Sequence, residues 1–489
     1  MSGIFKVVGP PGCGKTTWLS RQCQIGVGVH GSEGVLVASL TRAAAQEAAG
    51  RNTGLARGQI GTMHAFLYRA LGRPKILTKS DVTMWNNEHP DYAMTPGGVD
   101  LEESNETRRD GDRRGDDLIR RCDMLRARAI PREQWPNDAQ AFDAMWSAYK
   151  AEADICDFTD LIERGIDAFE AAPGRPGAIF IDEAQDLCRL ELNLVEQWSQ
   201  HCDTTVLVGD ESQALYSWRG ATPDVLAGQI HKVLDQSYRV PAAVHKLAMR
   251  IIRATGSWRE EVVYHPRRTS EEPDAPLVEG SCGRAAGITW RRPEKIIDLA
   301  LAAEAADESL MILATCDYLL APTKRALAEA GIPWHNPFSN RYNPISQECR
   351  ASIEAAAYLG KEGSTGLSSP QLKALVKLLR SDEDTGVRRG GKAAIERLGE
   401  GIPQIEVAKA MYRWLGESAY HAIDTGDLEW LLQHLPESVS MGTRLAIRVA
   451  LRSGMSALTQ RPHVILGTIH SVKGGEADRV LLFPDLSPQ

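Results

Sequence analysis

Near its start the chain runs IFKVVGPPGCGKTTWLSRQ, and no other stretch restricts the fold as tightly. An apolar run with alternating and branched residues reads as a strand. The string GPPGCGKTT fits G-x-x-x-x-G-K-S/T, and TTWLSRQ opens a helical pattern. A strand that turns through glycines into a helix N-terminus presents backbone N–H groups and the positive end of a helix dipole to an anion. Gly9, Pro10, Pro11, Gly12, Cys13, Gly14, Lys15, Thr16 and Thr17 are therefore candidate nucleotide contacts. Lys15 is placed to reach the β- and γ-phosphates and Thr16 to ligate Mg²⁺.

Further apolar runs, GVLVASL, GAIFID, TTVLVGD, LMILAT, HVILGTI and RVLLF, are bounded by Gly, Asp or Thr and mostly lead into helical patterns. Strands alternating with helices predict an α/β fold built on parallel sheets. At 489 residues the chain exceeds one hydrophobic core. Two stretches, about 81–167 and 346–461, are strand-poor and helix-like, so the α/β body is expected to carry two mainly helical insertions. The charged run ESNETRRDGDRRGDD in the first of them reads as a solvated loop. No apolar run approaches the roughly 20 residues a membrane helix needs. The 9 cysteines include no C-x-x-C pair, which speaks against a zinc or iron–sulfur site and fits a reducing cytosol. A net charge of −8 leaves room for a locally basic groove.

Two strand ends carry further chemistry. AIFIDEAQDL finishes a strand on Asp182 and Glu183, where one carboxylate can hold Mg²⁺ and the other can orient and deprotonate water. TTVLVGDESQALYSWRGA brings a second strand to Gly209 and Asp210, followed by Gln213, which can sense a γ-phosphate, and Trp218, which can stack on a base.

In this order the strings resemble the superfamily 1A DNA helicases of the UvrD/PcrA/Rep type. GPPGCGKTT resembles their motif I, SLTRAAAQEAAGR motif Ia, IGTMHAFLYRAL motif Ib and DFTDLI the signature closing their first insertion. IDEAQDL resembles motif II, VGDESQALYSWRGA motif III, LDQSYRVP motif IV and TIHSVKGGEADRV motif V. The resemblance implies two RecA-like P-loop NTPase lobes, each interrupted by a mainly helical insertion. Lobe 1A would comprise 1–80 and 168–235, insertion 1B 81–167, lobe 2A 236–345 and 462–489, and insertion 2B 346–461. It implies an ATP-dependent DNA helicase and single-stranded DNA translocase, moving 3′ to 5′, with ATP hydrolysed between the lobes. Lys15, Glu183, Gln213 and Arg239 would be catalytic, Arg239 reaching the phosphates from the second lobe. Tyr238 would stack on adenine and Glu476 would contact the ribose. Thr16 and Asp182 would bind Mg²⁺. Thr41, Thr62, Met63, His64, Trp218, Arg219, Thr468 and His470 would line the DNA track, with sequence-independent contacts to phosphates and base faces. Partners would be single-stranded DNA, duplex–single-strand junctions and a nuclease, replication or repair factor. The protein would act as a monomer or dimer in a bacterial or phage-infected cytoplasm.

The sequence departs from the family pattern in three places. No adenine-reading Gln precedes the first strand, so only a modest preference for ATP over GTP is expected. Met63 replaces a common aromatic and offers a softer stacking surface. No Y-V-A-x-T-R-A-like motif VI follows motif V, which reads as a C-terminal truncation. Two alternatives remain open: an ATP-gated DNA-binding regulatory module without efficient hydrolysis, and the motor subunit of a helicase–nuclease complex. The chain by itself is expected to bind nucleotide and DNA while turning ATP over slowly; steady-state hydrolysis with and without single-stranded DNA measures this, and brisk stimulated turnover would contradict it.

Overall fold

The computed structural model describes residues 3–39, 53–56, 58–96, 113–215, 220–221, 223–255, 262–270, 272, 275–283, 288–289, 291, 293–336, 347–359, 366–458 and 460–484. Compactness divides the chain after Gly283 into two units. Residues 236–283, which the resemblance assigns to lobe 2A, are thereby held in the first.

The first unit is built on a six-stranded sheet in the order β3-β2-β6-β7-β1-β8. Its strands are β1 (Ile4–Val8), β2 (Val35–Ser39), β3 (Ile60–Thr62), β6 (Ala178–Asp182), β7 (Thr204–Gly209) and β8 (Lys232–Val233), and every pairing is parallel. Both faces are buried, as the unbroken apolar strands require. One face packs Val7, Val35, Val37, Phe180, Val206 and Val208 against Leu19 and Cys23 of the helix Lys15–His30. The other packs Leu36, Ile179, Ile181 and Leu207 against helices Met63–Ala70, Phe158–Ala168 and Arg189–Ser199. Within this sheet β3 and β8 have only two or three residues and no periodicity for sequence reading to detect.

Residues 79–96 and 113–168 form a helical body with its own core of Val82, Trp85, Met94, Leu118, Trp135, Phe142 and Trp146. A two-stranded parallel ribbon, β4 (Lys75–Ile76) with β5 (Ile155–Cys156), closes its base. The run ESNETRRDGDRRGDD lies outside the described residues up to Asp112. Its end is no loop: Arg114 begins the helix Arg114–Ala127, and the Asp116 carboxylate accepts from Thr95 N–H at 2.7 Å and Thr95 Oγ1 at 2.8 Å. Asp117 and Arg120 on that helix are also paired. The sequence there reads as a charged run because the buried face, Leu118, Ile119 and Cys122, starts only one residue later.

Beneath that body lies an ion hub. Arg126, 4% exposed, donates to Asp157 at 3.1 Å, Asp160 at 2.5 Å and Glu163 at 2.8 Å. Lys150, 3% exposed, adds bonds to Asp157 at 2.5 Å and Asp160 at 2.6 Å. Asp157 also caps the helix Phe158–Ala168: it accepts from Asp160 N–H at 2.7 Å, and Asp160 accepts from Asp157 N–H at 2.8 Å. The string DFTDLI is thus a reciprocal capping box, two core residues (Leu161 and Ile162) and three acceptor groups for buried cations, once Glu163 is added.

The second unit has a four-stranded parallel sheet, order β10-β11-β9-β12, of Leu310–Ala314 (β9), Trp334–His335 (β10), Val464–Thr468 (β11) and Arg479–Phe483 (β12). Among the described residues, seven helices between Gln347 and Ser453 enclose a separate core that includes Ile353, Leu372, Leu375, Leu431 and Ile447. Arg452 fastens the last of them to this unit's α/β part through Glu304 at 2.7 Å and the Gly331 carbonyl at 3.2 Å.

Burial pushes the Asp157 and Glu163 carboxyls up, but the cations beside them, Arg126 and Lys150 at Asp157 and Arg126 and Arg132 at Glu163, together outweigh it and hold both below the ordinary range. A carboxylate depressed in the folded state stabilises it above the unfolded pKa, and that stability drains as pH falls. The helical body should therefore weaken progressively below about pH 4. Arg126→Met should cost about 3–5 kcal/mol at neutral pH because it strands buried acids, read by urea titration of tryptophan fluorescence; it should also flatten the acid dependence.

Candidate nucleotide and nucleic-acid site

The strand tips of the first sheet lie side by side. β1 ends at Val8, paired with Gly209, and the Gly9 N–H donates to the Gly209 carbonyl at 3.1 Å. β6 ends at Asp182, paired with Ser39 of β2. The loop between β1 and its helix turns through Gly12 and Gly14, at φ 72° and 79°. Both lie in the left-handed region, where a side chain is strained. Gly9 must lack a Cβ for a second reason: one would sit 2.4 Å from Cys13 Sγ. Lys15 is 9% exposed, and its ammonium donates to the Gly9 and Pro10 carbonyls at 3.0 and 3.3 Å. The cradle therefore surrounds a buried cation, the chemistry a polyphosphate requires. Thr16 is half-buried and Thr17 exposed on the first helical turn. Burial pushes the Cys13 thiol up despite Lys15 beside it, so it is a packing thiol and no nucleophile.

Asp182 is 4% exposed and accepts from Glu183 N–H at 3.0 Å. Burial, with the Asp182 charge second, pushes the Cys23 thiol up to about 12. Phe180 of β6 packs against Leu19 and Cys23 of the helix that begins at Lys15 and Thr16, and Asp182, two residues further along the strand, falls on that same face. One carboxylate and one hydroxyl, with phosphate oxygens and waters completing six positions, fit Mg²⁺. Glu183 stands at φ 54°, ψ 41°, a left-handed conformation that a non-glycine residue holds only when its surroundings impose it. Asp210, 1% exposed, accepts from Gln213 Nε2 at 2.6 Å and from Ser212 Oγ at 2.6 Å.

The segment Ser237–Val240 packs directly on the cradle. Ser237, 1% exposed, donates through Oγ to the Pro11 carbonyl at 2.7 Å and accepts from the N–H groups of Arg239 and Val240. Tyr238 N–H donates to the Gly12 carbonyl at 2.9 Å. A Cβ on Gly12 would lie 2.2 Å from Arg239 Cβ. Arg239 and the cradle thus belong to the same compact unit, whereas the sequence reading has Arg239 arriving from another lobe. The short helix-free link from β8 to Pro241, held by Ser237, explains the placement. Tyr238 is 57% exposed, leaving its ring open to solvent beside the loop.

Of the expected DNA-track residues, Thr41, Trp218 and Arg219 lie outside the described residues. Thr62 is 5% exposed, and its hydroxyl accepts from Ala65 N–H at 3.1 Å, capping the helix Met63–Ala70. Met63 needs correction: at 3% exposure it packs in the sheet's core with Phe66 and Leu67, because it occupies the inward face of that helix. It offers no stacking surface. His64 is half-buried and meets the Phe158 ring edge-on at 5.7 Å, which links this helix to the DFTDLI capping box. In the second unit Thr468 ends β11, 5% exposed, and accepts from Ser471 N–H at 3.2 Å. His470 and Glu476 are exposed beyond it. Sequence reasoning missed Gln185 and Ser237, two buried polar residues inside strings already singled out. Their chain positions gave no signal beyond polarity next to a strand end and a proline.

A lysine-filled glycine cradle at one tip of a parallel sheet, with acids on the next tips, defines a P-loop nucleotide-binding protein. Residues 1–233 match the UvrD/REP helicase N-terminal domain. The ATP-dependent DNA helicase UvrD2 of Mycobacterium tuberculosis is 31% identical over 157 residues, covering 28% of this chain and 22% of UvrD2. PcrA of Leuconostoc citreum is 29% identical over 134 residues, 24% of this chain and 18% of PcrA. Rep of Salmonella typhimurium is 29% identical over 123 residues, 22% of this chain and 18% of Rep. The matched part thus spans about a fifth of these relatives' length. Among the described residues no helix is long and apolar enough to cross a membrane.

Gly12→Ala should displace the Ser237–Arg239 segment and add about 1–3 kcal/mol of backbone strain. Titration with a fluorescent ATP analogue should show markedly weaker binding, with the melting temperature of the second unit unchanged.

Proposed function

We propose that this protein is an ATP-dependent motor that moves along single-stranded DNA and unwinds duplex–single-strand junctions. The observation that carries the reading is the grouping of Lys15, Asp182, Glu183 and Gln213 at neighbouring tips of one parallel sheet. The names of its relatives supply the DNA helicase class, and the 3′-to-5′ direction rests on the motif resemblance alone.

Lys15 would exchange its two loop carbonyls for β- and γ-phosphate oxygens, and the backbone from Gly9 to Thr17 would wrap the rest. Mg²⁺, held by Thr16 and Asp182, would neutralise phosphate charge. Glu183 would orient the attacking water and take its proton, and Gln213 would respond to the γ-phosphate. Arg239, whose Cβ packs on Gly12, would meet charge developing on the transferred phosphoryl group. Tyr238 would stack on the base, and Glu476 would serve the ribose. His64, Thr62, Thr468 and His470, with Thr41, Trp218 and Arg219, would serve the DNA strand. A replication, repair or nuclease partner is the expected cellular context, in the cytoplasm.

Lys15→Ala should abolish hydrolysis and strand movement while leaving DNA binding in place. Glu183→Gln should keep nucleotide affinity and lower hydrolysis by about 10²–10⁴-fold. Translocation along a fluorophore-labelled single strand, measured beside phosphate release, checks both; Lys15→Ala protein that still moves would overturn the motor.

A further inference from the structure

Gln185 has no assigned task, yet it is the best-enclosed polar side chain at the site, with 0% exposure. Its two amide ends do different work. Nε2 donates to Glu183 Oε2 at 2.5 Å, and Oε1 accepts from the Asp210 backbone N–H at 2.9 Å. Asp210 in turn accepts from Gln213 Nε2 at 2.6 Å. A chain of hydrogen bonds therefore runs from Glu183 at the end of β6 to Gln213 beyond β7, and Gln185 is its central link. The tip of β7 is shaped around this amide: a Cβ on Gly209 would fall 2.3 Å from Gln185 Oε1. The left-handed backbone of Glu183 brings residue 185 back under residue 183, so that the two side chains meet.

Resting on the proposed ATPase reading, we infer that Gln185 is a positioning residue: it fixes the Glu183 carboxylate and ties it, through Asp210, to Gln213. A shift of Gln213 on meeting a γ-phosphate would then be transmitted to the base. The amide suits this place because it offers a donor to a carboxylate and an acceptor to an N–H on two separate atoms of one planar group, and Asn is one methylene shorter. An acid could keep the Asp210 bond but would repel Glu183, and a methionine of similar volume could make neither bond.

Three variants test the link: Gln185→Glu, Gln185→Met and Gln185→Met combined with Glu183→Gln. Single-turnover hydrolysis should fall about 10- to 100-fold in both single variants, part of what a general base contributes, while affinity for a fluorescent ATP analogue stays at the wild-type level. Hydrogen exchange over 209–215 should quicken in Gln185→Met, which loses the Asp210 acceptor, and stay near wild type in Gln185→Glu, which keeps it. Adding Gln185→Met to Glu183→Gln should cause no further loss, because there is no longer a base to position. Hydrolysis that Glu183→Gln does not lower sinks the ATPase reading and this inference with it. Hydrolysis that Glu183→Gln lowers but both Gln185 variants leave intact overturns this inference alone, as does full additivity in the double variant.

Discussion

The parallel register of the first sheet is the constraint on which the candidate site depends. Val8 lies opposite Gly209, Ile181 opposite Leu207, and Ser39 opposite Asp182. The central strands β2, β6 and β7 are buried on both faces up to their tips, so a slip of one residue would move a tip by about 3.3 Å and turn its side chains to the wrong layer. Gly9, Asp182 and Asp210 are adjacent because Val7, Phe180 and Val208 fill one layer and leave no alternative register. The chemistry is positioned by packing that never touches it.

Much of this was legible in the amino-acid sequence, for a physical reason. The seven long apolar runs are the strands that carry both cores, and a stretch apolar on both faces cannot be much else between turn residues. The glycine cradle was legible because its backbone conformation and its lysine are local properties. What escaped depends on the fold. Gln185 and Ser237 act through atoms brought near by strands remote in sequence, and polarity alone does not reveal an enclosed amide. Met63 was misread because the helix turns it inward, a matter of helix orientation and not of composition. Arg239 was expected from a different lobe, and only the folded chain shows Ser237 fastening its segment to the loop at Pro11.

The charged character of residues 81–167 misleads in a similar way. Arg126 is separated from Asp157 by 31 residues and from Glu163 by 37. No sequence window joins them, and each reads as an ordinary solvated charge. Enclosed together, they form a hub under the helix whose first residue, Phe158, meets His64. The DFTDLI string has a structural explanation that spacing alone does not supply: it caps a helix, fills a core and neutralises two interior cations.

That hub also limits how this region can drift. Two interior cations are shared among three carboxylates, with Arg132 reaching Glu163 from the rim at 3.4 Å, so the loss of Arg126 or Lys150 could not be made good by a single compensating change. Exchanges there must come in concert, or through intermediates in which an interior charge is stranded. Homologues should consequently keep the whole set or replace all of it with hydrocarbon side chains, while the solvent-facing positions of the same helices change freely.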